Sequence, residues 1–551
     1  MNDEGRAPGA RRPAPPARSG AARAAPFVAS AAVLACTLAV QTAQPVGTFW
    51  DDGVYLITAR ALASGAGYRF THLPGAPAAV HYPPGWPAFL ALVWRALPGF
   101  PGNVAALLFL NPVLAAAAAG LACAYGVRRL RLPPFLAVAA SIVFATTLPV
   151  LVLDGVLFAE PLFLVLTILT LFAADAAAAG GGSRRAAMAG IAAAGATLVR
   201  SAGLALVPAV VLALLLGRRT REAIVAAVAA VACLLPWQWW VASHAAELAP
   251  PLRGNYGPYF PWLAAAVRER GAGFVRAIAW QNISSMERSL AVVFFPVGLR
   301  DVRPLLVVLL LVLVLLGAHA AWQRARPFCL FAAMYTAIIA CWPYAPDRFA
   351  WAVWPLGGLL VASGAAEAWR FARARGVPAT VRIAGGAMIV LAATAGAGLA
   401  FYSARGVSRG WVDVAQRRNA ERLRPVVDWV NAHTGPDDVI ACDGEPFVHL
   451  HTGRRVVPVH SLSADEYLAG TALGTAADDL RALIAAGGAN FAVLSAGTAE
   501  IQAAGLLGEP GGSPRLVPID TLPGGGMAFR VDRSPGAPPE STPLRPRSRL
   551  P

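Results

Sequence analysis

Along most of its length the chain alternates between apolar runs of near-membrane length and short polar turns. A bilayer core of about 30 Å takes about 20 apolar residues in a helix. By that measure spans are predicted near 26–44, 103–125, 133–153, 156–174, 222–241, 304–322, 327–344, 349–366 and 380–402. The stretch 186–217 is different, with Arg200 in its middle and basic pairs at both ends. If both pairs lie on one side of the membrane, two short helices at 186–199 and 203–217 are required, which brings the total to about eleven spans.

The turns test that count. "GVRRLRLPP", "GGGSRR", "GRRTRE", "WQRARP" and "EAWRFARARGVPATVR" are all basic, as cytoplasmic loops should be, and they put the N-terminus inside. The loops 45–102, 154–156, 242–303 and 345–348, and everything after 403, then face outward. The run 26–44 could pass for a signal-peptide core, but reads better as an uncleaved first helix followed by an acidic pair.

From 403 to 533 the pattern changes. An Arg- and Trp-bearing helix, "WVDVAQRRNAERLRPVVDWVNAHT", is followed by strand-like "DDVIACD" and "RRVVPVH", a helix around "SADEYLAGTALGTAADDLRALIAAGG", the strand "NFAVLSA" and a hairpin in "LVPIDTLPGGGMAFRVD". This alternation predicts a small extracytoplasmic α/β domain. The ends, 1–25 and 534–551, are rich in Pro, Arg, Ala and Ser with little apolar mass, and read as disordered. The fold class expected is therefore an α-helical polytopic membrane protein, its membrane part covering 26–402, with an α/β domain at its C-terminal end.

Composition agrees: 57% of the 551 residues are hydrophobic and 14% charged, which excludes a water-soluble assembly. The net charge of +16 comes with no Lys at all, and much of the Arg excess sits in the inner turns. It is a topology signal, so no nucleic-acid partner is expected. The six Cys show no CxxC or Cys/His spacing and five lie in apolar runs, which fits inert small hydrophobes better than disulfides or a zinc site.

Chemistry-bearing residues collect at the outer ends of the spans. Asp51 and Asp52 open the first outer loop in "FWDDGVYLITARALASGAGYRF", where an amphipathic helix with Tyr55 on one face lies on the membrane. Glu160 stands a few residues into the span after the short second outer loop, and Asp154 starts that loop. Arg200 and Arg348 occupy the outer ends of other helices. Taken singly, the carboxylates also fit helix capping and the arginines snorkelling. Together they place two carboxylate sites and two guanidinium sites on one face, where carboxylates can take a proton from a hydroxyl or hold a divalent metal and Arg can bind a phosphate.

At these residues the chain resembles the GT-C superfamily of membrane glycosyltransferases, in particular the branch with protein O-mannosyltransferases and the lipid A aminoarabinose transferase. Four motifs over residues 26–402 carry the likeness: "DDGVYLITARALASGAGY" with the following "HYPPGWPAFLALV", the Glu-Pro of "FAEPLFLVL", "LVRSAG", and "YAPDRFAWAVWPL". The resemblance implies transfer of a sugar from a polyprenyl-phosphate carrier to a lipid, glycan or protein acceptor at the outer face of the plasma membrane, with inversion. It implies Asp51 as the catalytic carboxylate, Asp52 as orienting the acceptor or a metal, and Glu160 as the second acid. Arg200 and Arg348 are the expected phosphate ligands. The fourth motif has Phe349 where the family has Tyr, and no Lys serves the phosphate, so His81, Tyr82, Arg253 and Tyr256 stand as substitutes. Tyr55, Asp154 and Tyr344 are expected to position donor or acceptor. A divalent metal, if one takes part, falls to Asp51, Asp52 and Glu160.

The loop 242–303, with "PPLRGNYGPYFPWL" and "GFVRAIAWQNISSMERSLAVVFF", is expected to cover the site. "DGEPFVHLHTGRRVVPV" offers His449 and His451 without a visible third metal ligand, and an accessory role for the outer domain fits better than separate catalysis. Two other functions compete: a transporter or flippase of a lipid-linked glycan, which calls for internal repeats and ionisable groups near the bilayer midplane, and a non-catalytic scaffold working through its C-terminal domain.

Overall fold

The structure, a computed structural model, describes residues 20–42, 44–297, 300–508 and 514–533. The disorder expected over 534–551, and over 1–25 as far as residue 19, lies outside the described residues. Residues 20–25 are not an arm: the Ala-rich stretch that begins at Gly20 already belongs to the first helix, α1 (Gly20–Val40).

Two shorter helices, α2 (Asp51–Ala63) and α3 (Gly85–Ala96), precede the next long apolar one, α4 (Val104–Arg128); α2 is buried from Asp52 to Ala59 and so is packed inside the protein, not laid on the membrane by one face as expected. The pair α5 (Pro134–Ala145) and α6 (Leu148–Asp154) is bent by 66°. Then come α7 (Glu160–Ala176), α8 (Gly182–Val199), α9 (Leu206–Leu216) and α10 (Thr220–His244). The long loop folds into α11 (Arg253–Tyr256), α12 (Tyr259–Arg270) and α13 (Ala272–Phe294). The membrane part closes with α14 (Arg303–Trp322), α15 (Arg326–Cys341), α16 (Asp347–Ala352), α17 (Trp354–Arg373) and α18 (Ala379–Ser408).

By length and composition, six described helical stretches can cross a bilayer, seven if the bent pair is one span. One of the six, Glu160–Val199, is a hairpin: Gly180 (φ 99°) and Gly182 (φ 69°) reverse the chain, and α7 and α8 pack side by side. The expected segments appear in order, yet several fall short of a full crossing. With 11 residues α9 reaches roughly 16 Å at about 1.5 Å per residue, and α17 carries Glu367, Arg370 and Arg373 near its end. The chain is a multi-pass helical membrane protein whose shorter apolar helices, α9 and α15, pack against their neighbours.

Basic turns gather at one end of the bundle. Arg129, just after α4, meets Asp175 near the end of α7 at 3.7 Å, and Tyr125 donates to the same carboxylate at 2.8 Å. The starts of α2 and α7 and the end of α8 lie at the opposite end, where the non-membrane elements collect.

Residues 414–532 form α19 (Val414–His433), β1 (Val439–Cys442), α20 (Glu445–Thr452), β2 (Arg455–Val457), α21 (Glu466–Ala469), α22 (Leu473–Gly487), β3 (Phe491–Leu494), α23 (Thr498–Leu506), β4 (Arg515–Leu522) and β5 (Gly526–Asp532). The sheet order is β2-β1-β3-β5-β4, with β1 parallel to β2 and β3, and β5 antiparallel to both β3 and β4. Apolar residues at helical spacing cover its faces, Val426 and Val430 of α19 on one and Leu480 and Ile484 of α22 on the other. This unit docks on the long loop: Asn255 donates to the His460 carbonyl at 3.0 Å, Trp262 to that of Leu462 at 3.2 Å, and Tyr467 to Asn282 at 2.5 Å.

Candidate active site

Four charged side chains from four helix ends meet beside the start of α2. Asp51 occupies the first turn, where a carboxylate is favoured by the helix dipole. Its Oδ1 accepts from the Tyr82 hydroxyl and its Oδ2 from Arg348 Nη1, both at 2.5 Å. The other edge of the same guanidinium, Arg348 Nε, donates to Glu160 Oε1 at 2.6 Å, and Arg200 Nη1 reaches that oxygen at 2.6 Å. The result is an alternating chain, Asp51–Arg348–Glu160–Arg200, with no net charge. Alternation is what allows four charges to share a place largely removed from water.

Local sequence explains each placement. Glu160 begins α7 with Pro161 behind it, a first-turn arrangement. Arg200 breaks the helix between α8 and α9 in an extended conformation, which frees its side chain to turn back to Glu160. Aromatic faces support both guanidinium groups, Phe158 at 3.6 Å from Arg348 and Phe349 at 5.0 Å from Arg200. Phe349 therefore serves as an apolar platform.

Burial ranks the two carboxylates. The Glu160 side chain is 3% exposed and that of Asp51 22%, so Asp51 is the one open to a substrate. Tyr55 is buried with its ring 4.7 Å from that of Tyr82. Asp154 is buried and lines, with Glu160, a cavity of about 20 Å³, room for one water. Neither Asp154 Oδ2 nor Glu160 Oε2 has a hydrogen-bond partner among the described residues.

Other expected site residues are placed differently. Asp52 turns away from Asp51 and accepts from the backbone N–H groups of Gly47 at 2.6 Å and Phe49 at 2.9 Å. Burial pushes its carboxyl up to about 6 in pKa against those hydrogen bonds. Its position is that of a loop cap, not an acceptor or metal ligand. With Asp52 turned away and Asp51 and Glu160 tied to one guanidinium, these three carboxylates do not fit a cation. No group of three His, Cys, Asp or Glu among the described residues does either, His449 and His451 included.

His81 Nδ1 lies 2.7 Å from the Gly257 carbonyl, so that nitrogen carries the proton and Nε2 is an acceptor. Burial pushes its pKa down to about 4. Arg253 is exposed and donates to the Leu248 carbonyl at 3.3 Å, apart from the charged chain. Tyr256 stands one layer back, its hydroxyl donating to Glu445 at 2.8 Å. Tyr344 stacks with Trp262 at 5.9 Å.

The long loop contributes an aromatic wall. Tyr259 packs 4.2 Å from the His81 ring and 5.2 Å from Trp342. Tyr259, Trp342 and Glu445 are not singled out by the sequence. Tyr259 and Glu445 lie in stretches already noted for other residues, but nothing local tells what Glu445 meets, since only the fold brings the C-terminal region to Trp50.

No protein-family model matches the chain, and no curated protein matches it. Among solved structures, ArnT from Cupriavidus metallidurans in the apo state aligns over 95% of this chain and 100% of its own, at 13% identity and a TM-score of 0.51. The crystal structure of ArnT from the same organism bound to undecaprenyl phosphate aligns over 94% of this chain and 98% of its own, at 14% identity and a TM-score of 0.48. The likeness to the apo structure shows that the chain shares the fold of that protein.

Proposed function

We propose that the chain is an inverting glycosyltransferase that moves a sugar from a polyprenyl-phosphate carrier to a lipid, glycan or protein acceptor at the outer face of the plasma membrane. The observation that carries this reading is the Asp51–Arg348–Glu160–Arg200 chain with Asp51 as its exposed end. Asp51 takes the proton of the acceptor hydroxyl as that oxygen attacks the anomeric carbon. The bond from that carbon to the carrier oxygen breaks, and its electron pair leaves on the lipid phosphate.

Arg348 and Arg200 stabilise the charge that develops on the phosphate, a role suited to donors already fixed in place. Arg348 Nη2 is buried without a partner among the described residues, which leaves one of its donors unpaired beside the site. Tyr82 holds the Asp51 carboxylate in orientation, and Glu160 keeps both guanidinium groups aligned. The aromatic wall of Tyr259, His81 and Tyr82 suits the apolar face of a sugar ring.

The test is a strain lacking this chain, whose envelope should accumulate a sugar-loaded polyprenyl phosphate and lack that sugar on one glycolipid, glycan or protein. Wild-type chain should restore the sugar, and Asp51→Asn should insert normally but fail to restore it. Full restoration by Asp51→Asn would sink the reading.

A further inference from the structure

A carboxylate from the C-terminal region reaches the residue next to Asp51. Glu445, the first residue of α20, is 3% exposed, and its Oε1 accepts from Trp50 Nε1 at 2.7 Å and from the Tyr256 hydroxyl at 2.8 Å. The Tyr256 hydroxyl also meets His72 Nε2 at 2.9 Å, so the contact is built from three parts of the chain.

Trp50 needs such a hold. Its backbone has φ 62° and ψ −62°, and the Asp51 N–H bonds back to the Phe49 carbonyl at 2.6 Å. This is a γ-turn of the strained kind, with a bulky residue where positive φ is costly. The turn sets the direction in which α2 starts, and Asp51 is the first residue of α2. Anything that fixes the Trp50 indole therefore fixes the aim of Asp51.

The sheet accounts for the reach. Strand order reverses at β1, between β2 and β3, and the crevice beyond the carboxyl ends of such strands is where α/β domains usually bind ligands. Here the chain leaving β1 abuts the segment from Pro45 to Gly53. Asn419 donates to the Thr48 carbonyl at 3.0 Å and Gln416 to that of Pro45 at 3.3 Å. A Cβ on Gly53 would lie 2.6 Å from Pro446 Cβ, so α2 and α20 touch with no room for a side chain.

We propose that Glu445 is a positioning residue: by holding Trp50 in its γ-turn it aims the Asp51 carboxylate, which makes transfer dependent on the docked C-terminal region. This rests on the role of Asp51 as base. A displacement of about 1 Å at a reacting group can cost about 10²-fold in rate. Glu445→Ala should lose about that much turnover, whereas Glu445→Gln, whose amide oxygen accepts the same two hydrogen bonds, should stay within about threefold of wild type.

Full-length variants reconstituted in vesicles are given the polyprenyl-phosphate sugars and acceptor extract of the deletion strain, and binding of a sugar-free long-chain polyprenyl phosphate is measured in parallel. Turnover should fall in Glu445→Ala while that binding is unchanged, and Trp50→Phe combined with Glu445→Ala should be no slower than Glu445→Ala alone. Equal losses of turnover and binding, or equal impairment of Glu445→Gln and Glu445→Ala, would overturn the positioning role. Full turnover of Glu445→Ala beside an inactive Asp51→Asn removes this inference and leaves the function standing, whereas an active Asp51→Asn removes both.

Discussion

Replacing Arg348 with Lys keeps the charge and removes the fork, and the outcome separates geometry from electrostatics. Arg348 uses two nitrogens on two carboxylates, Nη1 to Asp51 at 2.5 Å and Nε to Glu160 at 2.6 Å. An ammonium is a point donor on a flexible stem and cannot hold both in that geometry. One charge-assisted hydrogen bond, worth about 1.5–3 kcal/mol, is therefore lost. At about 1.36 kcal/mol per decade this is roughly a tenfold to hundredfold drop in turnover if the bond persists to the transition state. Arg200 makes one ion pair, Nη1 to Glu160 at 2.6 Å, which a Lys ammonium can reproduce, so Arg200→Lys should lose less than about tenfold. The assay is turnover of carrier-linked sugar by both variants in reconstituted vesicles, with thermal unfolding as a check on integrity. Wild-type turnover in Arg348→Lys, or equal losses in the two variants, would refute the bridging role.

Asp52→Ala strips the acceptor from the buried N–H of Gly47 and should destabilise by about 1–3 kcal/mol, visible as a lower unfolding temperature in detergent; an unchanged temperature would deny its capping role. His460 has its pKa raised, first by its hydrogen bond to Glu466 at 2.7 Å and then by nearby Glu466 and Asp479 charges, against the effect of burial. A raised folded value means that this contact stabilises fully below the unfolded value of about 6.5 and is lost as pH rises through the raised one. Amide exchange over 459–467, where Asn255 and Trp262 attach the long loop, should therefore quicken as pH rises above about 6.5, after correction for intrinsic rates. Exchange that slows over that range would contradict the assignment.

The hydrophobic pattern carries much of the architecture because both of its causes are local. An apolar run of bilayer length is a property of consecutive residues, and basic turns report on the loop that contains them, so the order of helices is readable without contacts. The strands of the C-terminal sheet and its closing hairpin are readable for the same reason, since alternation and turn residues are short-range signals. The number of full crossings is less so. Whether a stretch as short as α9 lies buried against neighbours or crosses a thinned membrane depends on what packs around it.

Within the site, Asp51, Glu160, Arg200 and Arg348 stand out in the sequence because charge at the end of an apolar run is costly enough to need a reason. Their pairing is another matter: Glu160 and Arg348 are 188 positions apart, and no local pattern says that one guanidinium serves both Glu160 and Asp51. Two adjacent residues of the same type, Asp51 and Asp52, look equivalent in the sequence, and only the turn at Trp50 sends one to the site and the other into the backbone. Glu445 had no signal because its partners, Trp50 and Tyr256, lie 395 and 189 positions away. The sequence alone thus determined the order of the apolar helical stretches, the polar turns and which carboxylates and arginines were costly to place. Which of those groups face one another, and that the C-terminal sheet touches the turn beside Asp51, were decided by packing, because such contacts arise between residues whose neighbours along the chain say nothing of each other.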